Sequence, residues 1–121
     1  MKKKITVLVT GAGNGVGQSI LKSLKLSKLN LKIISSDISS LSAGLFSSKN
    51  RIIIPKVENK GSKNWFIKNL KKNKIDILFV GSEFEIEFFS KNKEEIEAKT
   101  NCLICVSPLK TIKISLDKYL T

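Results

Sequence analysis

Three short stretches carry residue types that could do chemistry: Gly11–Gly17, Asp37 and Gly81-Ser82-Glu83. The first reads Thr10-Gly11-Ala12-Gly13-Asn14-Gly15-Val16-Gly17, between a β-branched apolar run and a helical pattern. Glycines permit positive φ in a tight turn and let backbone amides approach a ligand with no Cβ in the way. The helix N-terminus behind such a loop carries free N–H groups and roughly half a positive charge, so it favours an anion. Gly11, Gly13, Asn14, Gly15 and Gly17 are therefore candidate cofactor-binding positions. Asp37 ends the second apolar run, where a carboxylate could accept hydrogen bonds from a ribose. A tight turn with close packing would need the same glycines without any ligand.

Ser82 and Glu83 follow the fourth apolar run and are candidate substrate-binding residues, Glu83 to orient an amine or a phosphorylated acyl group. The plainer alternative makes Glu83, Glu85 and Glu87 surface acids, favourable at a helix N-terminus. The chain contains no histidine, which excludes Ser-His-Asp and Cys-His nucleophilic sites, His-bearing zinc sites and imidazole acid/base chemistry. Cys102 and Cys105 form a CxxC, but inside an apolar strand pattern. Residues i and i+3 of a strand point to opposite faces, so two buried structural thiols are expected, not a metal site or a disulfide. Such thiols suit a reducing, cytoplasmic setting.

The length, 121 residues, suits one domain. Basic residues number 22 against 10 acidic, a net charge of +12, and Arg51 is the only arginine. Base readout and bidentate phosphate contacts favour the arginine fork, and these lysines are scattered through every segment. A solvated lysine-rich surface is expected and no specific nucleic-acid partner. The run Ile5–Val9 is too short for a signal peptide core or a membrane span, so no membrane partner is expected either.

Continuous apolar runs predict strands at Ile5–Val9, Leu31–Ser36, Arg51–Ile54, Ile75–Val80 and Cys102–Val106. Between them, Gly15–Leu26 repeats Val16, Ile20 and Leu24 at helical spacing. Ser62 is a candidate N-cap for a helix with Trp65, Phe66, Ile67 and Leu70 inward and Lys68, Lys71 and Lys72 outward. Ser39–Ser48 reads as a loop, and a last helix is expected from about Leu109. Ser82–Phe89 alternates like a strand, but a crossover between parallel strands needs a helix here, expected from about Phe84. The rhythm predicts a doubly wound, Rossmann-like three-layer α/β domain with a mostly parallel five-stranded sheet and helices on both faces. The three chemical stretches then fall together beyond the carboxyl ends of its strands.

The spacing of Gly11, Gly15 and Gly17 in TGxxxGxG resembles the cofactor loop of short-chain dehydrogenases, with Asp37 as the ribose acceptor of a NAD(P) site. That family's Tyr-xxx-Lys has no counterpart, because the only tyrosine is Tyr119, two residues from the end.

A wider resemblance runs through all 121 residues. Val7–Ile20 is similar to the opening of carbamoyl-phosphate-synthase-like members of the ATP-grasp superfamily. Ser36-Asp37-Ile38-Ser39 with Ser42-Ala43-Gly44-Leu45 resembles the second-strand loop of those proteins. Gly81-Ser82-Glu83 resembles their Gly-Ser/Thr-Asp/Glu turn. Ser107-Pro108 with Leu116-Asp117-Lys118-Tyr119-Leu120-Thr121 is similar to the junction where the pre-ATP-grasp domain meets the ATP-binding domains. Phe84 departs from the pattern, which often has Pro. The resemblance implies an N-terminal, substrate-side domain, inactive alone, whose partners are a small-molecule substrate and its own following ATP-grasp domains. Those domains would hold ATP and magnesium, and a homodimer is compatible.

Overall fold

The computed structural model describes residues 4–13, 15–38 and 50–106. Asn14, the whole Ser39–Ser48 loop, the helix expected from Leu109 and the Leu116–Thr121 motif lie outside them. The elements run β1 (Ile5–Val9), α1 (Gly15–Leu26), β2 (Leu31–Asp37), β3 (Asn50–Ile53), α2 (Ser62–Lys72), β4 (Ile77–Phe79), α3 (Glu83–Thr100) and β5 (Leu103–Cys105). The sheet has five strands in the order β3-β2-β1-β4-β5, and every pairing is parallel. The chain steps outward from β1 to β3, then crosses back to β4 and β5. Its direction therefore reverses between β1 and β4, the place where open α/β sheets leave a crevice. This is a Rossmann-like α/β domain.

Pleat alternation divides the core between two faces. Ile5, Val7, Val9, Ile77, Phe79 and Cys105 pack with Ile20, Leu21 and Leu24 of α1. Leu8, Leu78, Val80, Cys102 and Ile104 pack on the other face with Phe66 and Leu70 of α2 and Phe89 and Ile96 of α3. The two cysteines form no disulfide with each other and are buried on opposite faces, as strand geometry demands. Burial pushes the Cys102 thiol up to about 12, so it is inert at neutral pH.

Several local expectations are corrected. The buried stripe of α1 is Gly17, Ile20, Leu21 and Leu24, whereas Val16 is 45% exposed and Gly17 takes the close contact with the Gly11–Ala12 and Gly81 backbone. Ser62 is not the N-cap of α2; that position is Gly61, in the left-handed region at φ 88°, and the Ser62 hydroxyl donates to the Val57 carbonyl. β4 and β5 are shorter than their apolar runs, and β3, at the sheet edge, leaves Ile53 48% exposed. The alternating Glu83–Phe88 segment, by contrast, is the start of helix α3, as the crossover requirement predicts. Alternation spreads apolar residues around a helix, which leaves Phe84 and Ile86 exposed and turns Glu85 inward, contrary to the surface-acid expectation. Among the described residues no helix is long and apolar enough to cross a membrane.

The opposite sheet edge, β5, is capped by side chains. Leu103 N–H bonds to Asp76 O and Cys105 O accepts from Val80 N–H, so Ile104 turns its own N–H and C=O outward. Glu97 Oε2 accepts that N–H at 2.8 Å and Lys93 Nζ donates to that carbonyl at 2.7 Å, while the two side chains pair with each other at 2.8 Å. Unpaired edge groups template association with other chains. Replacing Glu97 with alanine removes a charge-assisted bond and uncovers the edge. A loss of about 1.5–3 kcal/mol in urea unfolding is expected, with self-association visible by light scattering; replacing exposed Glu94 should do neither.

Candidate functional site

The glycine loop and the β4–α3 turn meet backbone to backbone at the crevice. Gly11 has φ +60°, and a Cβ there would lie 2.8 Å from the Gly81 carbonyl carbon and from Ser82 Cβ. A Cβ on Gly17 would stand 2.1 Å from the Gly11 oxygen, and one on Gly81 would stand 2.2 Å from the Thr10 oxygen. Thr10 ties the two segments: its N–H donates to Phe79 O at 3.0 Å and its hydroxyl accepts Gly81 N–H at 3.1 Å. Packing accounts for Gly11 and Gly17. Gly15 is different, since a Cβ there would meet nothing within 4 Å.

Asp37 is committed to the loop. Its Oδ2 accepts the Gly13 N–H at 2.8 Å, Oδ1 accepts the Ile38 N–H at 2.7 Å, and the neighbouring Ser36 carbonyl accepts Ala12 N–H at 2.9 Å. Asp37 thus holds the exposed Gly13 against the end of β2.

Beyond these strand ends lies a cleft of about 410 Å³, lined by Asp37, Ile38, Lys56, Val57, Glu58, Ser82, Phe84 and Glu85. Of the residues expected from sequence it gathers Asp37 and Ser82. Glu83 is exposed in the first turn of α3 and does not line the cleft. Glu85, two residues on, does line it and is only 5% exposed. Its Oε1 is buried with no hydrogen-bond partner. Burial holds the Glu85 carboxyl above the ordinary carboxylate range; the Thr10 hydroxyl partly offsets this, and the charges of Asp37 and Glu58 add to it. A signal for Glu85 did exist: on a helix beginning at Glu83, residues 85, 89 and 96 share one face, and Phe89 and Ile96 are apolar. Strand-like alternation masked it.

A pH test follows. A raised folded pKa means the folded chain binds more protons than the unfolded chain between the ordinary value of 4.5 and the raised one. The Glu85 contribution to stability therefore falls as pH rises through that window and stays low above it. Glu85→Gln should remove this decline. The difference between variant and wild type in urea unfolding, small at about pH 4.5, should grow in the variant's favour by about pH 8.

Among the described residues the cleft is lined by three acidic side chains, Asp37, Glu58 and Glu85, and one ammonium, that of Lys56, a balance that disfavours a polyphosphate. Among the described residues no group of three or more His, Cys, Asp or Glu side chains is arranged to hold a metal ion.

The fold defines the class as a Rossmann-like domain with a crevice at the β1/β4 reversal. Solved structures agree at the level of fold. Gre2 from Candida albicans matches with a TM-score of 0.59 and 22% identity. A monomeric L-threonine 3-dehydrogenase from a metagenome gives 0.58 and 18%, and dTDP-glucose 4,6-dehydratase from Bacillus anthracis str. Ames, in complex with NAD, gives 0.55 and 18%. The matches cover 83%, 81% and 83% of this chain but 35%, 34% and 36% of those, so the chain spans about a third of their length. No curated protein matches the chain in sequence. The family model for the PylC-like N-terminal domain matches residues 7–104, and the chain belongs to that family, a pre-ATP-grasp N-terminal domain of ATP-grasp ligases.

Proposed function

We propose that this chain forms the substrate-side wall of an ATP-grasp ligase of the carbamoyl-phosphate-synthase-like kind, acting in the cytoplasm. The observation that carries the reading is the family match over 7–104, which includes both segments meeting at the crevice. ATP and magnesium belong to the ATP-grasp domains that would follow, a division supported by the carboxylate-rich cleft, which repels a triphosphate. In the full reaction a substrate carboxylate oxygen attacks the γ-phosphorus, the bond to ADP breaks, and an acyl phosphate forms. A nucleophile then attacks the acyl carbon and inorganic phosphate leaves. This domain's residues contribute position. Ser82, held where Gly81 abuts Thr10, presents its hydroxyl to the bound substrate. The Gly13–Asp37 contact ties the loop to an acid that lines the cleft, and the exposed Phe84 lies along its lining.

The test is phosphate release. The isolated chain should release none from ATP, whereas the protein joining it to ATP-grasp domains should do so when given its carboxylate. Turnover by the isolated chain would overturn the assignment. A dinucleotide-binding module is the second reading, favoured by the loop spacing. It requires calorimetric binding of NAD or NADP at micromolar concentration that is lost in Asp37→Ala; the ligase reading expects none.

A further inference from the structure

Every strand pairing is parallel, so each connection from a helix into a strand reaches the same pole of the domain, opposite the crevice. Lysines that are scattered in the sequence are gathered there. Lys28 and Lys32 belong to the passage from α1 into β2, Lys71, Lys72 and Lys74 to that from α2 into β4, and Lys4 precedes β1. All six are exposed, and none of the ion pairs formed among the described residues involves them. Neither α1 nor α2 contains an acid, and none precedes Asp37 in the chain. Among the described residues, the one carboxylate where β1, β2 and β4 begin is Asp76, half-buried and accepting the Thr6 N–H at 2.8 Å. Glu94, Glu95 and Glu97 stand apart on α3, where Glu95 pairs with Lys63 and Lys99 and Glu97 pairs with Lys93. Helix C-termini favour cations, which accounts for Lys71 and Lys72 but not for Lys4 or Lys32.

Two further features separate this pole from a merely solvated surface. Leu26, the last residue of α1, is 77% exposed and is flanked by Lys25 and Lys28. Lys74 stands in the left-handed region at φ 52° just past α2, a position that glycine or asparagine fills at less cost.

We propose that this pole docks the protein on an anionic phospholipid bilayer, its lysines against the headgroup phosphates and Leu26 at the level of the first acyl carbons. That no helix among the described residues is long and apolar enough to cross a bilayer bears on spanning one, not on resting against one. Lysine is a compact charge on a long apolar stem, suited to a diffuse layer of phosphates, and each one near such a surface raises affinity about fivefold. Nucleic acid is the competing polyanion and fits less well. Its recognition favours the arginine fork and aromatic platforms, whereas Arg51, the only arginine, lies on edge strand β3. The exposed apolar group at the pole is a leucine, which a sugar–phosphate backbone cannot bury and acyl chains can. Docking by this pole leaves the crevice, at the other end of the strands, open to solvent. The inference does not rest on the ligase reading.

The experiment is sedimentation of the 121-residue chain with sucrose-loaded vesicles of equimolar phosphatidylcholine and phosphatidylglycerol, at an ionic strength of about 0.15 M. The chain should sediment with these vesicles and not with phosphatidylcholine alone. Lys71→Gln combined with Lys72→Gln should lower the partition coefficient about twenty-fivefold, and Leu26→Ser at least about threefold. Exposed Lys60 lies in the connection from β3 into α2, at the crevice end, and exposed Lys91 midway along α3. Replacing both with glutamine removes the same charge away from the pole and should change partition by less than about twofold. Lys74→Gly separates binding from folding: it relieves the left-handed strain, so stability in urea should rise, while partition falls about fivefold. Equal losses from the two double variants would reduce attachment to net charge. Tighter binding of a duplex RNA than of the vesicles, indifferent to Leu26→Ser, would make the pole a nucleic-acid face. Either result, equal sedimentation with neutral vesicles, or none with anionic ones overturns the proposal.

Discussion

Replacing Gly81 with alanine is expected to prevent the native fold. The new methyl would sit 2.2 Å from the Thr10 oxygen, 2.8 Å from Gly17 Cα and 3.2 Å from Gly17 N, all main-chain atoms that no side-chain rotation can move. Relief requires separating the β1–α1 loop from the β4–α3 turn, which breaks the Gly81 N–H bond to Thr10 and opens the crevice. A cost above about 4 kcal/mol is expected, of the size seen only for severe packing or backbone faults and close to the whole stability of a marginal domain. Circular dichroism and urea titration should show a chain unfolded or nearly so at room temperature. Gly15→Ala is the control. Nothing lies within 4 Å of that methyl, so a change within about 1 kcal/mol is expected, in the stabilising direction, because alanine favours helix over glycine.

Phe66→Ala has the second largest effect. Phe66 is fully buried where α2 meets α3, its ring 5.0 Å from Phe89, 5.1 Å from Trp65 and 6.0 Å from Phe88, centroid to centroid. Removing it takes away the transfer free energy of an aromatic side chain and leaves a cavity that two helices on a rigid sheet cannot close. A loss of about 3–5 kcal/mol is expected, measurable in urea with the emission of Trp65, the one tryptophan, as reporter. Phe66→Leu, which keeps most of the volume, should lose less than half as much. A small effect of the alanine variant would mean that α2 is not docked on this face.

These two residues also show what sequence could convey. Phe66 was legible: it recurs at helical spacing with Leu70 among lysines that can only face water. The strands were legible for a related reason, because a parallel sheet covered on both faces needs uninterrupted apolar runs. The opposite orientation of Cys102 and Cys105 followed from the two-residue period of a strand alone. Gly81 was visible as a turn, but its role was not, since that depends on Gly11 and Gly17 arriving from 70 and 64 residues away in the sequence. For the same reason the glycine loop fitted a ligand cradle and a packing turn equally well, and the structure shows Gly11 and Gly17 needed for packing and Gly13 tied to Asp37. Val16 kept helical spacing yet lies outward, and Gly17 instead faces inward against the Gly11 and Gly81 backbone. Glu85 was the largest gap. A buried acid with one oxygen unpartnered is rare enough that composition and alternation both argue against it, and only the helical geometry of α3 turns it into the cleft.

The central claim, that the crevice between β1 and β4 serves an ATP-dependent ligase, is tested most directly by trapping the acyl phosphate. The protein carrying this domain ahead of its ATP-grasp domains is incubated with ATP, magnesium, candidate carboxylates and hydroxylamine. Hydroxamate and ADP should form in equal amounts, only when a carboxylate is present, and Ser82→Ala should reduce the rate at least about tenfold. Hydride transfer to a nicotinamide cofactor in place of hydroxamate, or ATP turnover indifferent to both carboxylate and Ser82, would contradict it.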